Sequence, residues 1–480
     1  MRDGTGGTIP AIAARMTATA LPARAAGGAW SAEIRSTVSL AWPIALTNLS
    51  QMAMGITDAA MLGNYDPVAL AASAIGLALY WTFAIAGLGL AFGTAPLMAQ
   101  ALGRRRHAVR DVRRSARMGL WATAGFALPA SLMLWHAEAI LLLLGQEPPI
   151  AALGGVYVRT LLPGLLPFWW FMVLRSFVSA LERPKPALVA TMIAIPLNGL
   201  LDWLFIFGRF GLPELGIVGA GIASAASMTA MMAMLLGVCV TDRQFRRYAL
   251  LGRLWRLDRD RMAELLRVSL PIVGALLFEV MVFNAAVLLV GWIDAVSVAA
   301  HAIAIQCASL TFMVPMGISQ AATVRVGLAA GARDREGVAR AGWTALGLAG
   351  GFMSAMALVF VLTPGPIVAL FLDPALPQAE EVAALGARLL RVAGLFQVVD
   401  GLQVVGAGAL RGLKDTRVPM LFAGLGYWVL GLPVGALLAF GAGFGALGIW
   451  LGLAFGLAIV AGLLVVRWSR REALGIGGVG

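Results

Sequence analysis

The chain has 480 residues, 60% hydrophobic and 12% charged, with a formal net charge of +12 at neutral pH. Water-soluble domains carry about 25% charged residues, so a soluble protein is excluded and most of this chain must sit in lipid. The positive balance does not mark a nucleic-acid partner: the basic residues lie in short strips between apolar segments, where they set topology and meet anionic lipid headgroups.

Residues 1–30 are rich in Gly, Ala and Thr with scattered arginines, and lack the continuous apolar core of a signal peptide. They read as a disordered cytoplasmic leader. Twelve apolar segments follow, each long enough or nearly so to cross about 30 Å of hydrocarbon at about 20 residues. They span 39–63, 70–101, 118–144, 152–175, 187–208, 216–240, 265–291, 298–328, 341–363, 383–410, 419–440 and 445–467. All are expected to be helices, because backbone polar groups in lipid must be satisfied within the segment. The first six form an amino-terminal lobe over 31–240, joined by a basic cytoplasmic linker at 241–263 to a carboxy-terminal lobe over 264–470, with a tail at 471–480. The two cysteines, Cys239 and Cys307, each lie inside an apolar stretch and read as small core residues.

The loops alternate in charge. The loop after the second segment reads GRRRHAVRDVRRSAR, and that after the sixth TDRQFRRYALLGRLWRLDRDR. Arg183 and Lys185, then Arg333, Arg335 and Arg340, then Arg411, Lys414 and Arg417 follow the fourth, eighth and tenth segments. The intervening loops hold a single plainly basic residue, Arg209, and include the acidic pair Glu380–Glu381. By the positive-inside rule both termini face the cytoplasm. Only two lysines occur among many arginines, a composition suited to a bacterial source and so to a bacterial inner membrane.

Residues 43–105 reappear without a gap at 271–333, shifted by 228 positions. Pro43 returns as Pro271, Gly63 as Gly291, Asp66 as Asp294, Gly89 as Gly317 and Gly103 as Gly331. SALERPKP at 179–186 parallels GALRGLKD at 408–415, so each half has six helices and the two enter the membrane in the same direction. The fold class is therefore an all-α polytopic membrane protein of two pseudo-symmetric six-helix bundles, an architecture that belongs to transporters.

A carboxylate at the centre of a membrane helix costs about 3 kcal/mol on insertion scales, so intramembrane acids are the first functional candidates. Asp58 shares one helix stripe with Asn48, Gln51 and Gly55, and Asn198 and Asp202 share a face of the fifth segment, so these faces can form one polar pocket. The second half carries Glu279, which replaces Gln51 in the repeat, and Asp400 with Gln403 one turn on. The bland alternative for each is a structural hydrogen bond between helices. His301, near the start of the eighth segment, reads as an interfacial histidine rather than a pH sensor. The aromatic stretch Phe168–Trp169–Trp170, with Trp203 and Trp428, reads as packing or an interfacial belt before it reads as a cavity for flat cations.

The segments LTNLSQMAMGITDAAMLG (46–63), PLNGLLDWLFIFGRFGLPELGIVGAG (196–221), LPIVGALLFEVMVFNAAVLLVGWI (270–293), VAAHAIAIQCASLTFMVPMGISQAATVRVG (298–327) and LFQVVDGLQVVGAGALRGLKDT (395–416) resemble the MATE family, multidrug and toxic compound extrusion, in its NorM-like branch. The resemblance covers about residues 35–465. It implies a V-shaped fold of two six-helix lobes and efflux of organic cations by antiport with H⁺ or Na⁺. It also implies that Asp58, Asn198 and Asp202 serve an amino-lobe cation pocket. Glu279 and Asp400 would form a carboxy-lobe site able to take Na⁺, and Gln51 and Gln403 are neighbouring candidates. Asp202 departs from the neutral residue expected in many NorM-like members, and Gln306 stands where asparagine is common. Acids in both lobes leave open which one carries the coupling ion. The partners implied are small cationic substrates and membrane lipids, with no cofactor and no obligate protein partner. The alternative in the same superfamily is a lipid-linked oligosaccharide flippase, whose cavity should be basic at membrane depth. No Mg²⁺-pyrophosphate, HExxH or serine-elbow motif points to an enzyme.

Overall fold

The computed structural model describes residues 26–252, 254–372 and 378–476. Residues 1–25 of the expected leader and 477–480 of the expected tail lie outside the described residues. All regular structure among the described residues is helical. Twelve long helices are named here in chain order. In the first half these are α1 (Ala26–Tyr65), α2 (Pro67–Gly103), α3 (Ala108–Trp135), α4 (Pro148–Ala180), α5 (Lys185–Ile206) and α6 (Ile217–Thr241). The second half has α7 (Arg259–Gly291), α8 (Ala295–Gly331), α9 (Arg335–Leu362), α10 (Ala379–Gly412), α11 (Arg417–Gly441) and α12 (Ala446–Ser469).

Eleven of these, α2 to α12, are long and apolar enough to cross a membrane. At 40 residues α1 is long enough too, but Thr47, Asn48, Ser50, Gln51, Thr57 and Asp58 dilute its apolar stretch. It also starts earlier than expected, so residues 26–30 belong to a helix rather than to a leader. The third segment differs most. Its expected span of 118–144 is α3 at Ala108–Trp135 followed by a separate short helix at Ala137–Leu143. The basic strip before residue 118 is helical because Val112, Ser115 and Ala116 already face the core.

The repeat shows in the caps. Asp66 accepts a hydrogen bond from the Val68 amide at the start of α2, and its repeat mate Asp294 accepts one from the Ser297 amide at the start of α8. A side-chain acceptor at this place satisfies an amide that the helix leaves orphaned.

Two apolar cores result. One gathers residues of α2 to α6 with Met54 and Leu62 of α1. The other gathers α8 to α12 with Val282, Ala286 and Val290 of α7, and it also takes Leu40, Ala41 and Ile44 of α1. In return Val268 and Ile272 of α7 pack on Phe92 of α2, and Leu265 packs with Leu97 and Met118. Thus α1 and α7 each lean their first half on the opposite lobe and their second half on their own. Pro43 and Pro271 lie in those first halves, where a missing backbone hydrogen bond lets the helix bend.

The seam between lobes follows the repeat. A first side-chain carbon on Gly317 would lie 2.8 Å from the Ala45 amide nitrogen, and one on its mate Gly89 would lie 2.9 Å from Cα of Val273, the mate of Ala45. Gly103 and Gly331 form a second such pair, against the carbonyls of Leu328 and Gln100. The lobes touch backbone to backbone in the half of the molecule that holds the start of α1 and the end of α12, and a cleft lies beyond this seam.

Candidate functional site

The stripe expected on α1 faces the interior. Asn48 and Gln51 line a cleft cavity of about 270 Å³ together with Trp81, Phe168, Arg175 and Met316. Because Met316 belongs to α8, this cavity lies between the lobes. Met52, Met172 and Met313 add flexible thioethers to its wall, a lining that adapts to ligands of different shape.

One turn on, Gln51, Gly55 and Asp58 line a second cavity of about 80 Å³ inside the amino lobe. Tyr157, Ser224 and three methionines, Met54, Met228 and Met231, complete its wall. Oδ2 of Asp58 accepts a 2.6 Å hydrogen bond from the Ser224 hydroxyl, while Oδ1 is buried with no hydrogen-bond partner. Behind it, Asn198 and Asp202 of α5 are 0% exposed. Their side-chain oxygens also lack partners. The Asp202 carboxyl lies beside that of Asp58, so α1 and α5 do bring their polar faces together. Two adjacent carboxyls in an apolar bundle can hold one proton or one small cation between them.

The carboxy lobe builds a separate cluster. Asp400 of α10 is 5% exposed, with one oxygen unpartnered. Glu279 of α7 and the Tyr427 phenol of α11 are its charged and polar neighbours. The Tyr427 hydroxyl and the Gln403 carbonyl oxygen are buried without partners as well. Tyr427 sits where α11 widens to π geometry over Leu425–Gly431, a local defect that often marks functional positions in helices. One turn along α10, Gln397 donates to the Thr311 hydroxyl of α8 at 2.5 Å. Among the described residues, Asp58, Asp202, Glu279 and Asp400 make no salt bridge, and no group of three or more His, Cys, Asp and Glu is placed to hold a metal ion. Four candidate acids thus fall into two pairs, one in each lobe.

Several residues stand differently from their sequence reading. His301 is enclosed by protein: it is 2% exposed, and its Nδ1 accepts a 3.1 Å hydrogen bond from the Trp450 indole. Arg175, near the end of α4, is buried and reaches the cleft, where its guanidinium donates to Gln320 of α8 at 2.5 Å. Of the aromatic stretch only Phe168 faces both cavities. Trp169 and Trp170 donate to the Ala84 and Leu120 carbonyls, and Trp428 to that of Phe278, which is packing. Trp81, Tyr157, Ser224, Tyr427 and the methionines were not singled out from sequence. The density of Met in apolar stretches was the available signal.

Comparison with known proteins agrees with this architecture. The MatE family profile matches residues 43–204 and again 271–437, so each half of the repeat is matched. A protein of Mesorhizobium japonicum named probable multidrug resistance protein NorM is 52% identical over 96% of this chain and 98% of its own length. One of the same name from Brucella suis is 46% identical over 92% and 94%. The crystal structure of the eukaryotic MATE transporter AtDTX14 superimposes with a TM-score of 0.83 at 21% identity, covering 94% of this chain and all of that one. A MATE structure described as the bent conformation gives 0.83 at 18% identity, covering 92% of this chain and 96% of that one. With a matched profile in each lobe and close relatives along nearly its whole length, the chain belongs to the MatE family and is a multi-pass membrane transporter rather than an enzyme.

Proposed function

We propose that this transporter exports organic cations and other drugs from a bacterial cell by antiport with H⁺ or Na⁺. The observation that carries this reading is the pair of orphaned acid clusters. Each lobe holds two carboxyls, one buried and one half-buried, that make no salt bridge among the described residues, and each cluster keeps oxygens without a hydrogen-bond partner, although the Arg411 charge reaches Glu279. Such a group in a bundle is costly unless a proton or cation occupies it for part of a cycle. The amino-lobe pair adjoins a Met- and aromatic-lined cavity, so a coupling ion on Asp58 and Asp202 and a cationic drug near Gln51 exclude each other. Glu279 and Asp400, with Gln403 and Tyr427 beside them, offer oxygen donors suited to Na⁺ or a proton. The membrane potential adds about 2.3 kcal/mol per charge per 100 mV to any inward cation step.

On this reading the seam at the termini end faces the cytoplasm, in accord with the arginine-rich loops there. Release of drug outward and loading of the acids precede rocking of the lobes. The names of the NorM relatives support the drug assignment. The flippase reading finds support in Arg175 on the cleft wall and in Arg411, which lines a small cavity with Gln320, but Gln320 already binds Arg175 and the adjoining amino-lobe cavity holds Asp58.

The test is uptake of a fluorescent cation into proteoliposomes with a proton gradient and a sodium gradient imposed separately. Drive by either gradient names the ion. No movement of cations under both, with translocation of a labelled diphosphate lipid, would establish the flippase instead.

A further inference from the structure

We propose that the arginine cleft between the heads of α3 and α7 is a binding site for the headgroup of an anionic phospholipid, seated across the joint of the two lobes. The cleft encloses about 610 Å³. Its walls carry Arg110, Arg113, Arg114 and Arg117 from α3, and Arg256 and Arg259 from the linker and the first turn of α7. Asp258 is the acid in that wall, and Arg114 holds it at 2.5 Å. Arg114 is already paired with Asp111 and Asp258, but Arg110, Arg113, Arg256 and Arg259 make no ion pair among the described residues. Like charges around one space repel each other unless anions enter, and each guanidinium presents a planar fork that fits phosphate oxygens. The space admits more than one phosphate group, so a headgroup with two phosphates, or two single headgroups side by side, matches the charge best.

The anion's source is read from the apolar residues beside it. Trp255 is 76% exposed and Leu257 is 54% exposed, on either side of Arg256. The linker is held in this place by the Trp121 indole, which donates to the Leu254 carbonyl at 2.7 Å from the outer face of α3. Tryptophan and leucine presented next to arginines suit the depth where acyl chains meet headgroups, and a soluble anion makes no use of them. A second basic cleft at the same end, of about 690 Å³ and lined by Arg104, Arg105, Arg106, His107 and Arg333, has no large apolar side chain in its wall. It supplies an internal control.

The position matters for the lobes. Arg114 of α3 bonds Asp258 at the head of α7, and Arg261 of α7 reaches Asp111 of α3 at 3.4 Å. A phosphate held by arginines of both elements adds a third tie across that joint.

The experiment is native mass spectrometry of the purified full chain, delipidated and then offered tetraoleoyl cardiolipin, dioleoyl phosphatidylglycerol or dioleoyl phosphatidylcholine. The wild type should retain both anionic lipids over phosphatidylcholine. Arg110→Gln with Arg256→Gln should lower that retention about thirtyfold, as the loss of about 1 kcal/mol for each of the two arginines implies. Arg105→Gln with Arg106→Gln removes the same charge and should leave retention unchanged. Trp255→Ala should lower retention of lipid without altering any gain in thermal stability from sodium pyrophosphate. Circular dichroism checks that each variant is folded. Equal loss in the two double variants would overturn the proposal in favour of diffuse attraction. Stabilisation by pyrophosphate that depends on Arg110 and Arg256, with lipid retention unaffected, would overturn it in favour of a soluble anion.

Discussion

At the scale of single residues, the molecule turns on carboxyls that differ in their partners. Asp58 has one donor, Ser224, and one free oxygen. Asp58→Asn should abolish drug efflux from everted vesicles while leaving expression and folding intact. Ser224→Ala should lower efflux about tenfold or more, since a hydrogen bond to a charged group contributes about 1.5–3 kcal/mol. Asp258 is the opposite case. Its carboxyl is held below the ordinary carboxylate range, chiefly by the hydrogen bond from Arg114. A lowered folded value means that the ion pair's stabilisation is present above the unfolded value, about 3.9, and is lost as pH falls through the folded one. Asp258→Asn keeps a helix-capping side chain but loses the pair. The thermal midpoint of the variant should lie below that of the wild type at pH 7 and converge with it as the pH is lowered to about 3. Asp58, Asn198, Asp202, Glu279 and Asp400 were legible in the sequence because an acid or amide inside an apolar run is costly wherever it points. Ser224, Tyr157 and Tyr427 were not, because serine and tyrosine are ordinary occupants of membrane helices and give no pattern until their neighbours are known.

At the scale of elements, the repeat of 228 residues foretold the doubled seam but not its use. Gly89 and Gly317 were visible as repeat mates, while their role as places where opposite lobes meet backbone to backbone appears only once α1 and α8 are packed. Gly317→Leu should force α1 off α8. A cysteine placed at Ala99, which lies against Gly327 across the same seam, should then react faster with a maleimide, about tenfold if the added side chain costs about 1.4 kcal/mol of closure. Gly87→Leu gives the contrast. Gly87 packs on Trp169 within one lobe, so that change should lower the thermal midpoint without raising labelling at the seam. Helix existence and order were readable from apolar length. The ends of α1 and α3 were not, because polar and basic residues there are buried by tertiary contact rather than by lipid.

For the whole molecule, Arg325 of α8 is the clasp. It bonds both carboxylate oxygens of Glu33 on α1, at 2.8 and 2.6 Å, and also Glu182 in the turn after α4. Three elements from two lobes therefore meet on one guanidinium, and removing it leaves Glu33 largely buried and unpaired. Arg325→Ala should raise labelling of the Ala99→Cys seam probe about tenfold, the effect of about 1.4 kcal/mol. Exchanging the charges, Arg325→Glu with Glu33→Arg, should recover part of the protection. A charge-independent loss would show instead that the side chain acts by bulk. The crossing of α1 bears on synthesis as well. Leu40, Ala41 and Ile44 belong to the core of the carboxy lobe, whose helices leave the ribosome long after them. The nascent amino half must wait in the bilayer with its leading helix unsheltered until α8 arrives. Cut within the linker, the gene should yield two pieces that are each degraded when made alone and that rescue one another when made together.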